Sequence, residues 1–460
     1  MILRPYQERA VAEIRAVFNQ GARRVLFVLP TGGGKTTIFS YITSAEAARG
    51  NRVCVLVHRQ ELVDQVSGSL TAMGVPHGII AGGYPETLEP VQVASVASLV
   101  RRLARVEPFD LLIPDEAHHA VAGSWRAILD AMPRAFVLGV TATPERLDGR
   151  GLGDAFEKMV TGPSVADLTT GGFLVPATVY APPESLDLSR IHTRGGDYAA
   201  DELAEAMSDK AIVGNAVEHY GRLCRGMPAV AFCCGIGHSL AVAERFNAAG
   251  FRAAHVDGET DKEERRRVIA ALGSGDLDVL TNAGLISEGV DVPAIGAAIL
   301  LRPTKSLGLY LQQVGRALRP APGKVRAIII DHAGNSLTHG LPDDSRSWSL
   351  DDKPRRQREG KLPLPRRCSK CQTVNRAGAP KCVACGTDLR PPPEEQREID
   401  ARLEEVARAE MGQKLSTMRY SDLIAWADTE DKLRQVAKAR RFRRGWVQHV
   451  IAERGREARS

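Results

Sequence analysis

The stretch TGGGKT, Thr31–Thr36, lies between an apolar run, Val25–Leu29, and a sequence compatible with a helix from Thr37 to about Ala48. A buried strand, a glycine-rich turn and a helix N-terminus form a phosphate cradle, because backbone N–H groups and the positive end of the helix point at one place. In such a loop a lysine reaches the outer phosphates, and a following hydroxyl can bind Mg²⁺. The predicted phosphate-binding residues are Thr31, Gly32, Gly33, Gly34, Lys35, Thr36 and Thr37, with Thr36 as a magnesium ligand.

The full phosphate-loop pattern has a glycine six positions before the lysine, where this chain has Leu29. The alternative interpretation is a flexible glycine-rich turn without a ligand. A lysine and a threonine directly after three glycines, between a strand and a helix, favour phosphate binding over that alternative.

A second apolar strand, in FDLLIPDEAHH (Phe109–His119), ends at two acidic residues. Open α/β sheets bind their ligands at the carboxyl ends of their strands. At that edge Asp115 can hold Mg²⁺ through water, and Glu116 can orient and deprotonate an attacking water. The alternative is an acidic helix N-terminus, which the helix dipole favours without any catalytic role. An acidic pair at a strand end in the same fold unit as TGGGKT favours catalysis.

Two further features concern the same sheet. Pro114 has no N–H to pair and is expected to close its strand. The strand AFVLGVTATP, Ala135–Pro144, brings the hydroxyls of Thr141 and Thr143 to the same edge, although a plain strand exit would also explain them.

The N-terminal stretch LRPYQERA offers a candidate base-reading pair. A glutamine amide can pair with both N6 and N7 of adenine, so Gln7 could read the base while Arg4 stacks on it. The alternative is a surface helix start with Pro5 in the first turn. A position shortly before a phosphate loop favours base reading.

The second half of the chain alternates apolar strands with helical stretches. Within it, LYLQQVGRALRP spaces Gln312, Arg316 and Arg319 four and then three residues apart, which is one face of a helix. Two guanidinium groups on one face suit the charge of a transferring phosphoryl group. A basic surface helix and an internal salt-bridge face remain as alternatives.

The chain has 460 residues, of which 43% are hydrophobic, and this length predicts roughly two to four domains with sizeable cores. It contains no apolar run long enough for a membrane span and no signal-peptide pattern, so we expect a soluble, cytoplasmic protein. Residues 351–460 hold 26 Lys and Arg against 17 Asp and Glu, whereas 1–350 hold 35 against 38. A basic tail on a near-neutral body is typical of a polyanion-binding appendage, although ordinary solubilising charge explains it equally well.

Cysteine spacing indicates a metal site and no disulfide framework. Four cysteines lie in apolar segments and are expected to be buried as small hydrophobic residues, namely Cys54, Cys224, Cys233 and Cys234. The other four form two C-x₂-C pairs with ten residues between them, and thiolates at that spacing can close a tetrahedral shell on Zn²⁺. The predicted zinc ligands are Cys368, Cys371, Cys382 and Cys385.

With these motifs in their order, residues 1–335 resemble a superfamily 2 helicase of the DEAD/DEAH type. RPYQ resembles the adenine-reading motif, TGGGKT motif I, VHRQELVDQ motif Ia, DEAH motif II, TAT motif III, ISEGVDVP motif V and QQVGRALRP motif VI. The resemblance implies two RecA-like lobes with ATP between them. It also implies that Gly289 and Asp291 contact the nucleotide, that Arg316 and Arg319 are finger arginines, and that His118 and Thr141 couple hydrolysis to a nucleic-acid track.

The tail resembles that of the RadD-like bacterial repair helicases and related prophage helicases, through a zinc ribbon and a basic end that contains Gly-Trp. In RRFRRGW, Phe442 and Trp446 alternate with arginines and could stack on bases. The alternative is a small helical hairpin that uses both aromatic side chains as core.

The sequence therefore predicts an α/β protein with two tandem RecA-like parallel-sheet lobes, a Cys₄ zinc ribbon and a short helical C-terminal region. The expected boundaries are 1–170, 171–335, a linker at 336–366, the ribbon at 367–390 and the basic region at 391–460. The expected function is an ATP- and Mg²⁺-dependent DNA helicase or translocase in repair or recombination, a monomer that acts on single-stranded or branched DNA. An RNA helicase and an ATP-gated clamp that does not unwind are the alternatives.

Overall fold

The computed structural model describes residues 2–119, 123–145, 151–181, 188, 191–194, 196–207, 210–284, 295–351, 364–390, 411, 414–443 and 445–457. The chain divides into two compact units, Met1–Asp388 and Leu389–Ser460. The first unit holds two parallel sheets, which confirms the predicted two-lobed α/β architecture. Within the described ranges, no helix combines the length and the apolar character that a membrane crossing requires.

The first lobe is built on a sheet of seven parallel strands. In chain order they are β1 (Arg24–Val28), β2 (Val53–Val57), β3 (Gly78–Ile80), β4 (Val91–Ser95), β5 (Leu111–Pro114), β6 (Phe136–Thr141) and β7 (Lys158–Thr161). Their order across the sheet is β3-β4-β2-β5-β6-β1-β7. The helices of this lobe are α1 (Pro5–Asn19), α2 (Lys35–Ala47), α3 (Gln60–Ala72), α4 (Val96–Arg102), α5 (Gly123–Ala131) and α6 (Val165–Thr170).

Both faces of this sheet are covered, which explains why its strands are apolar throughout rather than alternating. Along β1, Val25 and Phe27 face a core that includes residues of α1, α2 and α3. The intervening Leu26 and Val28 face a second core that includes residues of α4 and α5. The four scattered cysteines are buried, as expected from their apolar neighbours.

Pro114 is the last residue of β5, as predicted. Leu111 and Asp115 donate their N–H groups to Arg52 and Leu56 around β2, so the intervening position 114 faces β6. Because proline has no N–H, the pairing of β5 with β6 is interrupted there and resumes only as a bridge between Asp115 and Val140.

The second lobe is built on six parallel strands in the region that the sequence predicted to alternate. They are β8 (Ala177–Tyr180), β11 (Ala229–Phe232), β12 (Ala253–Val256), β13 (Val279–Asn282), β14 (Ala297–Leu300) and β15 (Ala327–Asp331), in the order β12-β13-β11-β14-β15-β8. A short hairpin of β9 (Thr193–Arg194) and β10 (Asp197–Tyr198) stands apart from this sheet. The helices are α7 (Ala200–Met207), α8 (Lys210–Leu223), α9 (Ile236–Ala248), α10 (Lys262–Ser274), α11 (Leu307–Ala317) and α12 (Asn335–His339).

Two smaller structures follow the second lobe. The four-cysteine segment contains an antiparallel pair, β16 (Arg366–Arg367) with β17 (Val374–Asn375). In the second compact unit the labelled helices are α13 (Tyr420–Trp426), α14 (Glu430–Ala439) and α15 (Trp446–Glu457), and they share a small apolar core. The predicted cysteine module and short C-terminal helices are therefore both present.

Candidate nucleotide site and metal centre

The TGGGKT loop joins β1 to α2 at the carboxyl edge of the first sheet. Gly34 is the N-cap of α2 and has a φ of 86°, in the left-handed region that favours glycine. The helix therefore begins at Lys35, two residues before the predicted start. Lys35 Nζ donates to the Leu29 carbonyl over 3.3 Å, and the Tyr6 hydroxyl donates to the Gly33 carbonyl over 2.7 Å.

Leu29 stands where the phosphate-loop pattern has glycine, and the fold accommodates it. Its side chain is fully buried. A Cβ built at Gly33 would lie 2.8 Å from Leu29 Cγ, and one at Gly162 would lie 2.7 Å from Leu29 Cδ1. Two glycines thus leave room for the leucine beneath the loop. The replacement of the pattern's glycine by Leu29 therefore does not block the phosphate-binding side of the loop.

The two predicted acids follow β5 directly. Asp115 is buried, and its Oδ1 accepts the Glu116 N–H over 3.0 Å. Burial, together with the neighbouring Glu116 carboxylate, raises the pKa of Asp115, and the Lys35 ammonium opposes that rise. Glu116 has a φ of 50°, an uncommon conformation for a non-glycine residue. A buried carboxyl group facing a lysine is a fitting environment for a divalent cation.

His118 connects the acidic pair to the end of β6. Its Nδ1 lies 3.4 Å from Glu116 Oε2 and 3.2 Å from the Thr141 hydroxyl. That hydroxyl also accepts the Thr143 N–H over 3.2 Å. The Asp-Glu-Ala-His and Thr-Ala-Thr motifs are therefore in contact at one sheet edge.

Helix α11 of the second lobe faces the phosphate loop. Gln312 and Arg316 are buried on this helix, and both line the same cavity as Lys35. Arg319 lines that cavity too, but it lies two residues beyond the end of α11 rather than on the helix as predicted. Pro320 follows it, and the residue before a proline is disfavoured in the helical region.

Two glycines of α11 set how closely the lobes approach. A Cβ built at Gly315 would lie 2.5 Å from Thr31 Cβ, closer than real Cβ contacts come. A Cβ at Gly308 would lie 2.7 Å from the Thr143 hydroxyl. The second lobe therefore rests on the phosphate loop and on the end of β6 through positions that have no side chain.

The cleft between the lobes is a cavity of about 390 Å³. Eleven of its lining residues are positions predicted as nucleotide, magnesium or catalytic residues. Its lining residues are Thr31, Gly32, Gly34, Lys35, Thr36, Thr37, Leu62, Gln65, Val66, Ser69, Ala72, Asp115, Glu116, Gln312, Arg316 and Arg319.

Some lining residues were missed by the sequence analysis. Gln65 and Ser69 lie four residues apart on α3, which borders the cavity. Their spacing could have indicated a polar helix face, but nothing in the sequence places that face beside the phosphate loop. Arg59, just before α3, donates to the Gly284 carbonyl of the second lobe over 3.3 Å.

Neither predicted base reader lines the cavity, and Gln7 lies against the phosphate loop. Gln7 is buried; its Oε1 accepts the Arg4 N–H over 2.9 Å, and its Nε2 lies 2.6 Å from the place that a Cβ on Gly34 would take. The Arg4 guanidinium stands 5.1 Å from the ring centre of Phe173. Gly289 and Asp291 lie outside the described residues.

Lys324 is a further residue that the motifs did not reveal. Its Nζ donates to the carbonyls of Arg319 (2.7 Å) and Ile295 (2.6 Å) and also to that of Ala317. Burial, together with the nearby Arg319 guanidinium, lowers the pKa of Lys324 to about 8. One ammonium group thus holds the end of α11 against the segment that precedes β14.

The four predicted zinc ligands lie together. All four Sγ atoms are within 4.8 Å of one another. Cys368 and Cys385 Sγ are 3.7 Å apart, and Cys371 and Cys382 Sγ are 3.5 Å apart. Zn–S bonds of about 2.3 Å in a tetrahedron place neighbouring sulfurs roughly 3.8 Å apart, so the cluster fits a Cys₄ zinc site.

Each C-x₂-C pair is followed by a tight turn of the same form. Gln372 and Gly386, the next residues, have φ values of 63° and 70°, and each donates its N–H to the carbonyl of the first cysteine of its pair. The Thr387 hydroxyl lies 3.1 Å from Cys385 Sγ, and hydrogen bonds from Thr387 and from the neighbouring cysteines lower the pKa of Cys385 to about 6. The thiolate is the form that binds metal.

The cysteine module extends the second sheet. Thr373 forms an antiparallel bridge with Tyr180 of β8, the edge strand, and Ala181 donates its N–H to the Gln372 carbonyl over 3.1 Å. Because an exposed strand edge has unpaired backbone groups, this pairing also covers part of the edge.

In the second compact unit, the structure favours the helical hairpin over base stacking. Phe442 and Trp446 have ring centres 4.5 Å apart and pack against the core formed by residues such as Leu433 and Val436. Arg444 lies outside the described residues.

Comparison with known proteins agrees with this geometry. Residues 1–146 match the family described as type III restriction enzyme, res subunit, and residues 223–321 match the helicase conserved C-terminal domain. A 51.5 kDa protein of a Lactococcus phage is 34% identical over 362 residues, which are 78% of this chain and 77% of that protein.

Two further similarities cover less of the other protein. A protein named putative ATP-dependent helicase IRC3, from Saccharomyces cerevisiae, is 32% identical over 73% of this chain, and the chain spans 52% of its length. The fragment structure of a putative HsdR subunit of a type I restriction enzyme from Vibrio vulnificus YJ016 shares the fold, with a TM-score of 0.60 and 24% identity over 77% of this chain and 68% of that one.

The motifs on both sides of one cleft, the two family matches and the extended similarity to the phage protein lead to the same assignment. The chain belongs to the superfamily 2 helicases, ATP-hydrolysing enzymes with two RecA-like lobes.

Proposed function

We propose that this enzyme is an ATP-driven translocase or helicase that acts on DNA, in repair or recombination. The observation that supports this most is the cavity whose walls carry Lys35 from one lobe and Arg316 from the other. A site divided in this way can couple nucleotide chemistry to lobe movement. In this proposal the enzyme is a cytoplasmic monomer, and its substrate is single-stranded or branched DNA.

The residues of the cavity have separate roles in this proposal. Lys35 and the backbone of the TGGGKT loop bind the phosphates of ATP, and Glu116 orients the attacking water. Thr36 and Asp115 would hold Mg²⁺, which neutralises phosphate charge when bound. Gln312, Arg316 and Arg319 contact the γ-phosphate from the second lobe.

Movement follows from the position of those charges. Arginines and lysine attract the same phosphate only while the cleft is closed, and loss of that phosphate after hydrolysis removes the attraction. His118 lies between Glu116 and Thr141, so a change at the acid is passed to the end of β6. If each lobe binds the nucleic-acid backbone, repeated closure becomes stepwise movement along a strand.

We further propose that the Cys₄ module binds one structural Zn²⁺. Four cysteines close a tetrahedral shell and leave no open position for catalysis. The sulfur separations, and the paired turns that hold them, support a closed structural site.

DNA is favoured over RNA because one of the two family matches is to a restriction enzyme subunit. The relevant experiment measures ATP turnover with single-stranded DNA, duplex DNA and RNA of the same sequence, together with displacement of a labelled strand. We expect DNA to stimulate turnover more than RNA, and a Lys35→Ala variant to hydrolyse no ATP while still binding DNA.

Two results would revise the proposal. Stronger stimulation by RNA would favour the RNA helicase. Turnover stimulated by DNA without strand displacement would favour an ATP-gated clamp or a duplex translocase, and turnover that no nucleic acid changes would contradict the proposal.

A further inference from the structure

The turn between α14 and α15 carries a group of cations without an evident structural use. Lys438, Arg441 and Arg443 are exposed there, and none of them forms an ion pair with any residue in the described part of the chain. Lys438 lies in the last turn of α14, where the helix dipole favours a cation, whereas Arg441 and Arg443 follow the helix end in the turn itself.

Other basic residues of the same unit do have structural partners. Arg440 Nε donates to the Leu415 carbonyl over 2.8 Å, and Arg454 Nη1 donates to the Ala427 carbonyl over 2.8 Å. These two arginines therefore connect separate parts of the unit.

At the start of α14, unlike at its end, the basic side chains are paired with acidic ones. Lys432 pairs with Asp428 at 2.7 Å, and Arg434 pairs with Glu430 at 2.6 Å. Asp431 adds a further acid there. Positive charge that no neighbouring acid neutralises is thus concentrated at one end of the helix, at the turn.

The two aromatic side chains of the turn, Phe442 and Trp446, are partly buried. Phe442 and Trp446 pack on the core and on each other. Within the turn the fully exposed side chains are cationic and the rings are partly covered, which suits phosphate groups better than bases.

We propose that the α14–α15 turn binds the phosphate backbone of nucleic acid through Lys438, Arg441 and Arg443, without reading or stacking on bases. The choice of nucleic acid among polyanions rests on the proposed function. The turn would serve as a second contact with the polymer besides the two lobes, one that does not depend on ATP.

The test compares two double variants of the full chain that remove equal charge. Arg441→Gln/Arg443→Gln neutralises the turn, and Lys432→Gln/Arg434→Gln neutralises ion-paired cations near the start of the same helix. The control removes two surface ion pairs and the contact of Lys432 with the Trp426 ring, which together stabilise little, and the turn variant removes cations without ion-pair partners among the described residues, so both variants should remain folded. Binding to a labelled 30-nucleotide poly(dT) strand and to a 30-base-pair duplex is measured without nucleotide over a range of salt concentrations.

For the turn variant we expect binding to weaken about ten-fold at ~150 mM salt. The slope of log affinity against log salt should become shallower by about 1.4 for the single strand and about 1.8 for the duplex, since each lost phosphate contact contributes roughly 0.7 or 0.9. The control variant should match the wild-type protein.

Equal binding by the turn variant and the wild-type protein would overturn the inference, and so would an equal loss in both variants. Failure of the proposed function is a separate result, because it would appear as ATP turnover that no nucleic acid stimulates, whatever the binding curves show.

Discussion

Lys324 illustrates how a residue outside the cavity can position those within it. Its three carbonyl partners belong to the end of α11, to Arg319 and to the segment before β14. Charge-assisted hydrogen bonds of this kind contribute roughly 1.5–3 kcal/mol each to stability. The residue does not line the cavity, so in the proposed mechanism it acts by positioning Arg319 and the end of the helix that carries Arg316.

We predict that Lys324→Met lowers kcat for ATP about ten-fold or more and changes KM less, because phosphate binding by the first lobe is retained. Lys324→Arg should recover part of the loss, since a guanidinium also donates to several carbonyls. Steady-state kinetics of both variants check this; a Lys324→Met enzyme with unchanged kcat would show that the arginines are positioned without it.

His238 gives a pH dependence to the second lobe. It is buried near the start of α9, and burial lowers the pKa of His238 to about 4. The unfolded chain, with an ordinary histidine pKa near ~6.5, binds a proton between pH 7 and pH 5, while the folded lobe does not. The stability due to neutral His238 is therefore present above about pH 6.5 and is lost as the pH falls towards 4.

Lowering the pH from 7 to 5 should reduce the unfolding free energy of the second lobe by about 2 kcal/mol through His238. Over the same pH interval, the unfolding free energy of a His238→Gln variant should fall by that much less than that of the wild-type protein, whatever the variant's stability at pH 7. Urea unfolding of both proteins at the two pH values measures the difference; identical pH dependence would exclude His238 as the source.

At the scale of elements, the proposed site is complete only when α11 contacts the phosphate loop. Gly315 allows that contact, since any side chain there would meet Thr31. Alanine is the better helix former, so the substitution should not weaken α11 itself.

We predict that Gly315→Ala reduces ATP turnover at least about ten-fold by keeping the lobes apart, although thermal stability stays close to that of the wild-type protein. Gly237→Ala is the matched control, because Gly237 lies in α9 with open space where its Cβ would stand. Equal turnover by both variants would mean that the cleft closes in another way.

The cysteine module should influence the second lobe through the edge strand β8. Its backbone bonds to Tyr180 and Ala181 require the first tight turn to be ordered. Binding of a metal to this site would contribute folding free energy directly.

We therefore predict about one zinc per chain in a metal-replete preparation, and a lower Tm after chelation. Hydrogen exchange should increase at Ala181 but not at β1 of the first lobe. Cys382→Ser should reproduce both effects without a chelator, and a metal-free preparation with the same Tm would remove the zinc proposal.

Much of the fold and of the candidate site could be predicted from local sequence, for physical reasons. The TGGGKT and DEAH segments have loop and strand-end geometry of their own, and the cysteine spacing is short enough to define its turns. The strands were recognisable because buried parallel strands are continuously apolar.

The remainder depended on contacts between distant parts of the chain. Gly315 and Thr31, or Arg59 and Gly284, meet only after both lobes fold, and sequence periodicity does not report such pairs. The position of Arg319 beyond α11 follows from Pro320, but its place in the cavity follows from Lys324 and the closed cleft.

At the scale of the whole molecule, the proposed function requires both lobes, because neither alone carries all the residues proposed for ATP hydrolysis. The first lobe provides the phosphate loop and the acids, and the second provides Gln312 and the arginines. Binding and hydrolysis are therefore separable, because the first lobe can hold ATP before the second contributes to the reaction.

The most direct measurement is single-turnover ATP hydrolysis by Arg316→Ala with DNA present, alongside binding of a fluorescent ATP analogue. Arg326→Ala, which changes an exposed arginine of the same lobe, is the control. We predict that Arg316→Ala binds the analogue within a few-fold of the wild-type protein and hydrolyses ATP at least about a hundred-fold more slowly, because a finger arginine stabilises the charge of the transferring phosphoryl group. Hydrolysis by Arg316→Ala at the rate of the Arg326→Ala control would contradict a nucleotide site shared between the lobes.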